Sequence, residues 1–274
     1  ISPIIGLYGA FMMGIVTAIF GGRPGMISGA TGALAVVMVN LISEGNAMGP
    51  EGAMLGVQFL FATLILAGIF QSLAGLLKMG KFVRMIPKSV MMGFVNGLAI
   101  VIFTSQLGMF KSEGQWLEGG LLYSMLGLVF LTMMIMFFLP KITKKIPEAL
   151  AAIIIVSSIV IFGDIETQTV KSFIVSLGGD GIKAGLPVFN IPLISLNLET
   201  LSFITPYALI LAAIGLIESL MTLNLIDELT DTHGNGNKEC IAQGAGNILN
   251  GFFGGMGGCA MIGQSIINIK SGGR

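Results

Sequence analysis

Long uninterrupted apolar runs constrain this chain more than any motif does. About 20 apolar residues can cross a bilayer's hydrocarbon core as a helix, and about 10 to 14 cannot. Runs close to spanning length occupy residues 5–20, 54–77, 90–110, 121–139, 149–162 and 207–226. Lipid cannot satisfy exposed backbone N–H and C=O groups, so a spanning segment must be a helix or part of a closed barrel. Unbroken apolar runs of this length specify helices, and the chain reads as an all-α polytopic membrane protein. Composition agrees: 54% of residues are hydrophobic and 10% charged, with mean hydropathy +0.92, against about 25% charged in soluble domains. Net charge is zero and no basic run is present, which argues against a nucleic-acid partner.

Two apolar pieces break the pattern. Residues 31–42 (TGALAVVMVNLI) and 262–269 (IGQSIINI) are too short to span, and each follows a Gly-rich extended stretch. They read as half-helices, which are tolerated at membrane depth only where they line a cavity or are buried in protein. With the glycines of 21–22 and 254–255 aligned, GGRPGMISGATGA and GGMGGCAMIGQS each carry a glycine turn, a short extended segment and a helix start. Paired interrupted segments of this kind point to the substrate site of an inverted-repeat transporter.

The basic residues set an expected orientation. Lys78, Lys81, Arg84 and Lys88 fall in one loop and Lys141, Lys144 and Lys145 in another, while the opposite loops carry Glu44, Glu51, Glu113, Glu118, Asp164 and Glu166. The basic loops face the cytoplasm by the positive-inside rule. Alternation then places the turn at 21–28, with Arg23, inside, the 163–205 connection outside, and Trp116 as an interfacial anchor. The chain opens at Ile1 without a charged flank and closes on a Gly-rich stretch at Arg274, so further helices are expected on both sides. Cys240 and Cys259 read as small residues compatible with apolar packing, and His233 as a solvated loop residue. Gln71, Asn96, Thr104 and Gln106 read as interhelical hydrogen-bond contacts, and Gly93 with Gly97 as a packing face.

The chemistry concentrates at two places. The first turn of a helix offers unpaired N–H groups and a partial positive charge, an anion site that needs no basic side chain. At Thr31, Gly32 and Ala33 small residues allow close approach and the Thr31 hydroxyl adds a donor. A second helix start near Ala260, Met261 and Ile262 is expected to point at the same cavity. Glu218 is the only ionisable residue inside any long apolar run, and a carboxylate at that depth costs on the order of 3 kcal/mol on insertion scales. Thr222 lies one turn further along the same helix face. Glu218 therefore reads as a coupling residue, either carrying a proton or ligating Na⁺ together with Thr222 and backbone carbonyls; no other metal or cofactor is expected. A plain interhelical contact is the alternative role.

Several stretches carry a family resemblance: SPIIGLYGAF, FGGRPGMISGATGALAVVM, MIPKSVMMGFVNGLAI, and IESLMT followed by NKECIAQGAGNILNGFFGGMGGCAMIGQSIINIKSGGR. Together they resemble the SulP family of anion transporters, the sulfate-permease and bicarbonate-transporter group that includes the animal anion exchangers and prestin. The resemblance implies a 7+7 inverted-repeat fold, fourteen segments in core and gate domains, with a cytoplasmic STAS domain usually following. On that plan the chain covers about segments 2 to 10: residues 1–110 mostly core-domain helices, 111–204 gate-domain helices and an outer connection, and 205–274 core-domain helices, with the STAS domain outside it. The resemblance also implies an anion between the starts of segments 3 and 10. Thr31 then falls on the segment 3 polar position, Ala260, Met261 and Ile262 on the segment 10 start, and Glu218 and Thr222 on the segment 8 coupling positions. Na⁺-coupled bicarbonate members are expected to carry Asp at the Glu218 position and Thr at the Ile262 position, so this chain departs from them.

The expected function is secondary transport of sulfate or bicarbonate across a cell inner (plasma) membrane, coupled to H⁺ or Na⁺ through Glu218, by a multi-pass protein that dimerises at full length. A fumarate-like dicarboxylate symporter and a passive anion channel are the alternatives. A channel needs no titratable residue at mid-membrane. An enzyme needs a nucleophile, base or metal set that the membrane runs do not offer.

Overall fold

The computed structural model describes residues 3–49, 55–81, 88–112, 115–143, 146, 148–176, 185–195 and 197–273. In chain order the elements are α1 (Pro3–Phe20), β1 (Ser28–Ala30), α2 (Gly32–Ala47), α3 (Leu55–Leu76), α4 (Lys88–Gln106, running into a 3₁₀ turn Leu107–Phe110), β2 (Lys111–Ser112) and β3 (Gln115–Trp116). There follow α5 (Gly119–Ile142), α6 (Glu148–Phe162), α7 (Val170–Ser176), α8 (Leu198–Thr230), α9 (Gly236–Phe252), β4 (Gly258–Ala260) and α10 (Ile262–Lys270). Each of the six long apolar runs forms a helix over most of its described residues, and among the described residues α1, α3, α5 and α8 are long and apolar enough to cross a membrane. Arg84, Lys144, Lys145, Glu51 and Glu113, used in the orientation argument, lie outside the described residues.

Two compact units form, Ile1–Leu98 with Lys183–Arg274, and Ala99–Ile182. In the first unit α3 packs along α9 at very short range. A Cβ built at Gly68 would lie 2.5 Å from the Gly244 carbonyl oxygen, and one at Gly251 2.6 Å from the Phe61 carbonyl oxygen. Small residues substitute for hydrophobic drive here, because lipid is as apolar as leucine and close backbone approach supplies the attraction. Around this pair Leu34, Met38, Leu41, Leu60, Leu64 and Leu211 are fully buried.

α8 has 33 residues, about 50 Å at 1.5 Å per residue, and so extends well past its apolar run at 207–226. Its N-terminus is fixed by Asn197, whose side chain accepts from the Thr200 N–H, and it stops at Asp231 in the left-handed region with φ 50°. One end of the unit gathers the turn at 21–23, the loop after α8 and the basic stretch after α3. There the Asn235 N–H donates to Gly22 O at 2.9 Å and the Gly80 N–H to Asn237 Oδ1 at 2.9 Å. Arg23 is buried at this end, 3.2 Å from Asp227 Oδ1, and donates to the Thr230 and Thr232 hydroxyls.

In the second unit α5 packs on α6, and the β2–β3 ribbon places the Lys111 ammonium 4.7 Å from the Trp116 ring centre. Several expectations on α4 are corrected. Asn96, Thr104 and Gln106 are exposed, and the Thr104 hydroxyl donates to the carbonyls of Ile100 and Val101 in its own helix rather than to a neighbour. A Cβ at Gly93 or Gly97 would meet nothing within 4 Å, so that face is open in this chain.

Candidate functional site

β1 and β4 pair antiparallel, Ser28 with Ala260, Gly29 with Cys259 and Ala30 with Gly258. Each strand runs directly into a helix, so α2 and α10 leave this two-stranded ladder in opposite directions. Thr31 is the N-cap of α2 (φ −116°, ψ 147°) and Met261 the N-cap of α10 (φ −103°, ψ 116°), and neither side chain makes a capping hydrogen bond. Both helices therefore begin at the ladder with first-turn N–H groups that no cap side chain occupies. The ladder continues to Met261, whose N–H donates to Ile27 O at 2.8 Å. Thr31 and Met261 thus stand four residues apart along the strand direction, about 13 Å at 3.3 Å per residue. They flank the ladder instead of touching.

The expected anion-contacting residues are distributed unevenly across this frame. Thr31 and Ala33 are buried and Gly32 is exposed; Ala260 is buried, Met261 and Ile262 are half-buried, and Gly263 and Gln264 are exposed. The open surface at both starts is thus backbone-rich. Glu218, Ser219 and Thr222 of α8 are all buried beside β4. The Ala260 N–H donates to Ser219 Oγ at 3.1 Å, and the Cys259 thiol donates to Glu218 Oε2 at 3.0 Å. Cys259 Sγ also lies 3.2 Å from Thr31 Oγ1. The Thr31 hydroxyl is thereby turned toward sulfur, and the Thr222 hydroxyl donates to the Glu218 main-chain carbonyl at 2.8 Å, leaving its lone pairs as the free feature.

Four buried polar residues of α9 went unread in the sequence, three of which build the site. Glu239, Gln243, Asn247 and Asn250 recur at helical spacing on α9 and are all buried. Asn247 grips β4 through both ends of its amide: Nδ2 donates to Gly258 O at 3.0 Å and Oδ1 accepts from the Gly258 N–H at 2.9 Å, while Nδ2 also reaches Gln71 Oε1 at 2.8 Å. Gln71 is therefore the interhelical contact it was read to be. Gln243 Nε2 donates to Ser28 Oγ at 2.8 Å and Glu239 Oε1 at 2.7 Å, and Glu239 Oε2 accepts from the Gly22 N–H at 2.7 Å. Buried polar groups need partners: Gln243 and Asn247 find theirs on the two strands and Glu239 on Gly22 and Gln243, whereas the Asn250 amide makes no hydrogen bond among the described residues. α9 escapes a hydropathy reading because its interior face is polar; the signal that could have found it is polar residues at i, i+4, i+8 and i+11 among glycines and alanines. Cys259, set aside as a packing residue, is central.

The Sulfate permease family model matches residues 1–274. The chain is 45% identical over 274 residues to the putative sulfate transporter YbaR of Bacillus subtilis, covering 100% of this chain and 52% of that protein. It is 34% identical over 285 residues to the bicarbonate transporter BicA of Synechocystis, covering 98% of this chain and 48% of that protein. The chain thus spans about half the length of the curated relatives it matches. The solved transmembrane domain of a cyanobacterium bicarbonate transporter BicA superposes on the chain with TM-score 0.77 at 33% identity, covering 100% of this chain and 71% of that one. Murine Slc26a9, in the inward-facing state, shares the fold with TM-score 0.73 at 16% identity, covering 100% and 49%.

Proposed function

From the premise that this chain belongs to the sulfate permease family, we propose that it is the transmembrane part of a secondary carrier for a small inorganic anion, sulfate or bicarbonate, driven by H⁺ or Na⁺ through Glu218. The observation that carries this reading is the pair of helix starts without side-chain caps flanking the β1–β4 ladder, with a buried carboxylate beside the same strand. The anion is held by main-chain N–H groups of Gly32, Ala33 and the Ile262 turn, and by the two helix dipoles. Neutral donors contribute on the order of 1 kcal/mol each, which suits a carrier that must also release its cargo. The two anions are those of the relatives named above as putative sulfate and bicarbonate transporters.

Glu218 supplies the charge that the driving ion meets. A Na⁺ as co-substrate draws its oxygens from Glu218, Thr222 and main-chain carbonyls; among the described residues no group of three His, Cys, Asp or Glu side chains converges. A proton needs the carboxylate alone. The unit Ile1–Leu98 with Lys183–Arg274 acts as core domain and Ala99–Ile182 as part of the gate domain. The full-length protein works as a multi-pass homodimer in the cell inner membrane, with the basic end of the first unit on the cytoplasmic side.

The test is uptake of labelled sulfate, bicarbonate and fumarate into liposomes holding the full-length protein, with H⁺ and Na⁺ gradients imposed separately, for the wild type and Glu218→Gln. Concentrative sulfate or bicarbonate uptake that collapses in Glu218→Gln supports the reading. Concentrative uptake of fumarate alone makes the protein a dicarboxylate symporter, and uptake indifferent to both gradients makes it a passive channel.

A further inference from the structure

Cys259 joins the two halves of the proposed mechanism. Resting on that reading, we infer that Cys259 is a positioning residue whose thiol links anion occupancy at the α2 start to ion occupancy at Glu218. Cys259 is fully buried, with Sγ 3.0 Å from Glu218 Oε2 and 3.2 Å from Thr31 Oγ1. The three side chains belong to β4, α8 and the residue that caps α2, and all three are buried. Among the described residues, this thiol is the side chain that bridges the coupling carboxylate to the anion-facing helix start.

The linkage follows from proton counting. A thiol and a hydroxyl each carry one proton. While the thiol donates to Glu218, sulfur can only accept from Thr31, and the Thr31 hydroxyl proton is turned away from an anion at Gly32. When H⁺ or Na⁺ neutralises the carboxylate, Glu218 Oε2 becomes a weaker acceptor, and the thiol turns to donate to Thr31 Oγ1. The Thr31 proton is then free to meet the anion, a charge-assisted bond about twice as strong as the neutral one it replaces. No proton is transferred and no bond is broken; two rotors reorient. Because linkage is reciprocal, an anion that draws the Thr31 proton also favours release of the thiol from Glu218 and so favours ion binding there. Other contacts hold the frame still while the rotors turn, since Ser219 fixes Ala260 and Asn247 fixes Gly258.

The experiment uses the full-length protein in liposomes and two measurements on each variant: accumulation of labelled sulfate or bicarbonate against an imposed H⁺ or Na⁺ gradient, and gradient-free counterflow of the same anion. The quantity read is their ratio. Cys259→Ala lowers the ratio by fivefold or more, the low end of typical coupling between sites at about 1 kcal/mol, and Cys259→Ser, which keeps one donor and an acceptor, restores it. A smaller fall in Cys259→Ala, or an equal fall in Cys259→Ser, overturns the inference, the second outcome making Cys259 a packing residue. Glu218→Gln is run alongside: if it accumulates anion normally, the proposed function fails and the inference with it, whereas a collapse there beside a normal Cys259→Ala overturns the inference alone. Should Cys259→Ala fail to fold, Thr31→Val breaks the same chain from its other end. Its anion affinity then no longer changes when the driving ion is added, and a preserved change overturns the inference.

Discussion

The two broken helices use one backbone device and dress it differently. α2 has 16 residues and buries Leu34, Met38, Leu41 and Ile42 in the main core, whereas α10 has nine and buries only Ser265. At the start of α2 stands a hydroxyl engaged with a thiol and through it with a carboxylate; at the start of α10 stands a methionine. The paired strands between them are nearly equivalent, three residues each. An internal repeat can therefore supply matching dipoles from both sides while only one copy carries side-chain chemistry. In the proposed site the α2 start is the firm, polar side, and the α10 start offers main-chain N–H groups without a polar N-cap side chain.

The largest expected effect tests whether both starts hold the anion. Gly32→Leu covers the exposed backbone beside Thr31 and raises the anion KM by at least about 100-fold, two tenfold steps of about 1.4 kcal/mol each. Gly263→Leu, in a first turn already flanked by the half-buried Met261 and Ile262 side chains, raises it about tenfold. Equal effects in labelled-anion uptake would erase the asymmetry, and no effect from either would move the anion elsewhere. Next in size is Thr31→Val, which keeps the shape and removes one hydroxyl donor. Its KM rises about tenfold, equivalent to about 1.4 kcal/mol, with transport retained; an unchanged KM would leave Thr31 as a packing residue.

The smallest effect sharpens the comparison by giving the α10 start a side-chain cap that neither start has. Met261→Thr places a capping hydroxyl where the structure has none, and N-cap hydroxyls stabilise a helix by about 1 kcal/mol. The same hydroxyl occupies N–H groups that the anion needs. Thermal stability should rise by a few degrees at most for a chain of this size while anion affinity falls a few-fold. A rise in both would show that the first turn of α10 is not part of the anion site.

Much of the architecture was legible. The six apolar runs, the two half-helices and their start positions emerged as helices because burial in lipid leaves a long apolar stretch one satisfactory backbone conformation. Gln71 was readable as an interhelical contact for a related reason, a lone amide in an apolar run needing a partner. Thr104 was misread because the same argument cannot tell a helix that finds a polar neighbour from one that satisfies its hydroxyl on its own i−4 carbonyl, and Asn96 and Gln106 because it cannot tell which face of a helix is exposed. α9 was missed because four buried polar residues lower its hydropathy to that of a loop, and the partners that Gln243 and Asn247 find in the interior include Ser28 and Gln71, which lie far off in sequence.

The sequence by itself determined the membrane setting, the positions of the helix breaks and the isolation of Glu218, since each is a local consequence of transferring residues out of water. Tertiary structure alone decided that the breaks would meet as a ladder, that the polar face of α9 would clamp that ladder through Gln243 and Asn247, and that Cys259 would stand between Thr31 and Glu218. Those contacts join residues up to 228 positions apart. A hydrogen bond is set by angstrom-scale placement of two backbones, and close glycine packing, of α3 on α9 and of Gly258 on Gly29, contributes to that placement.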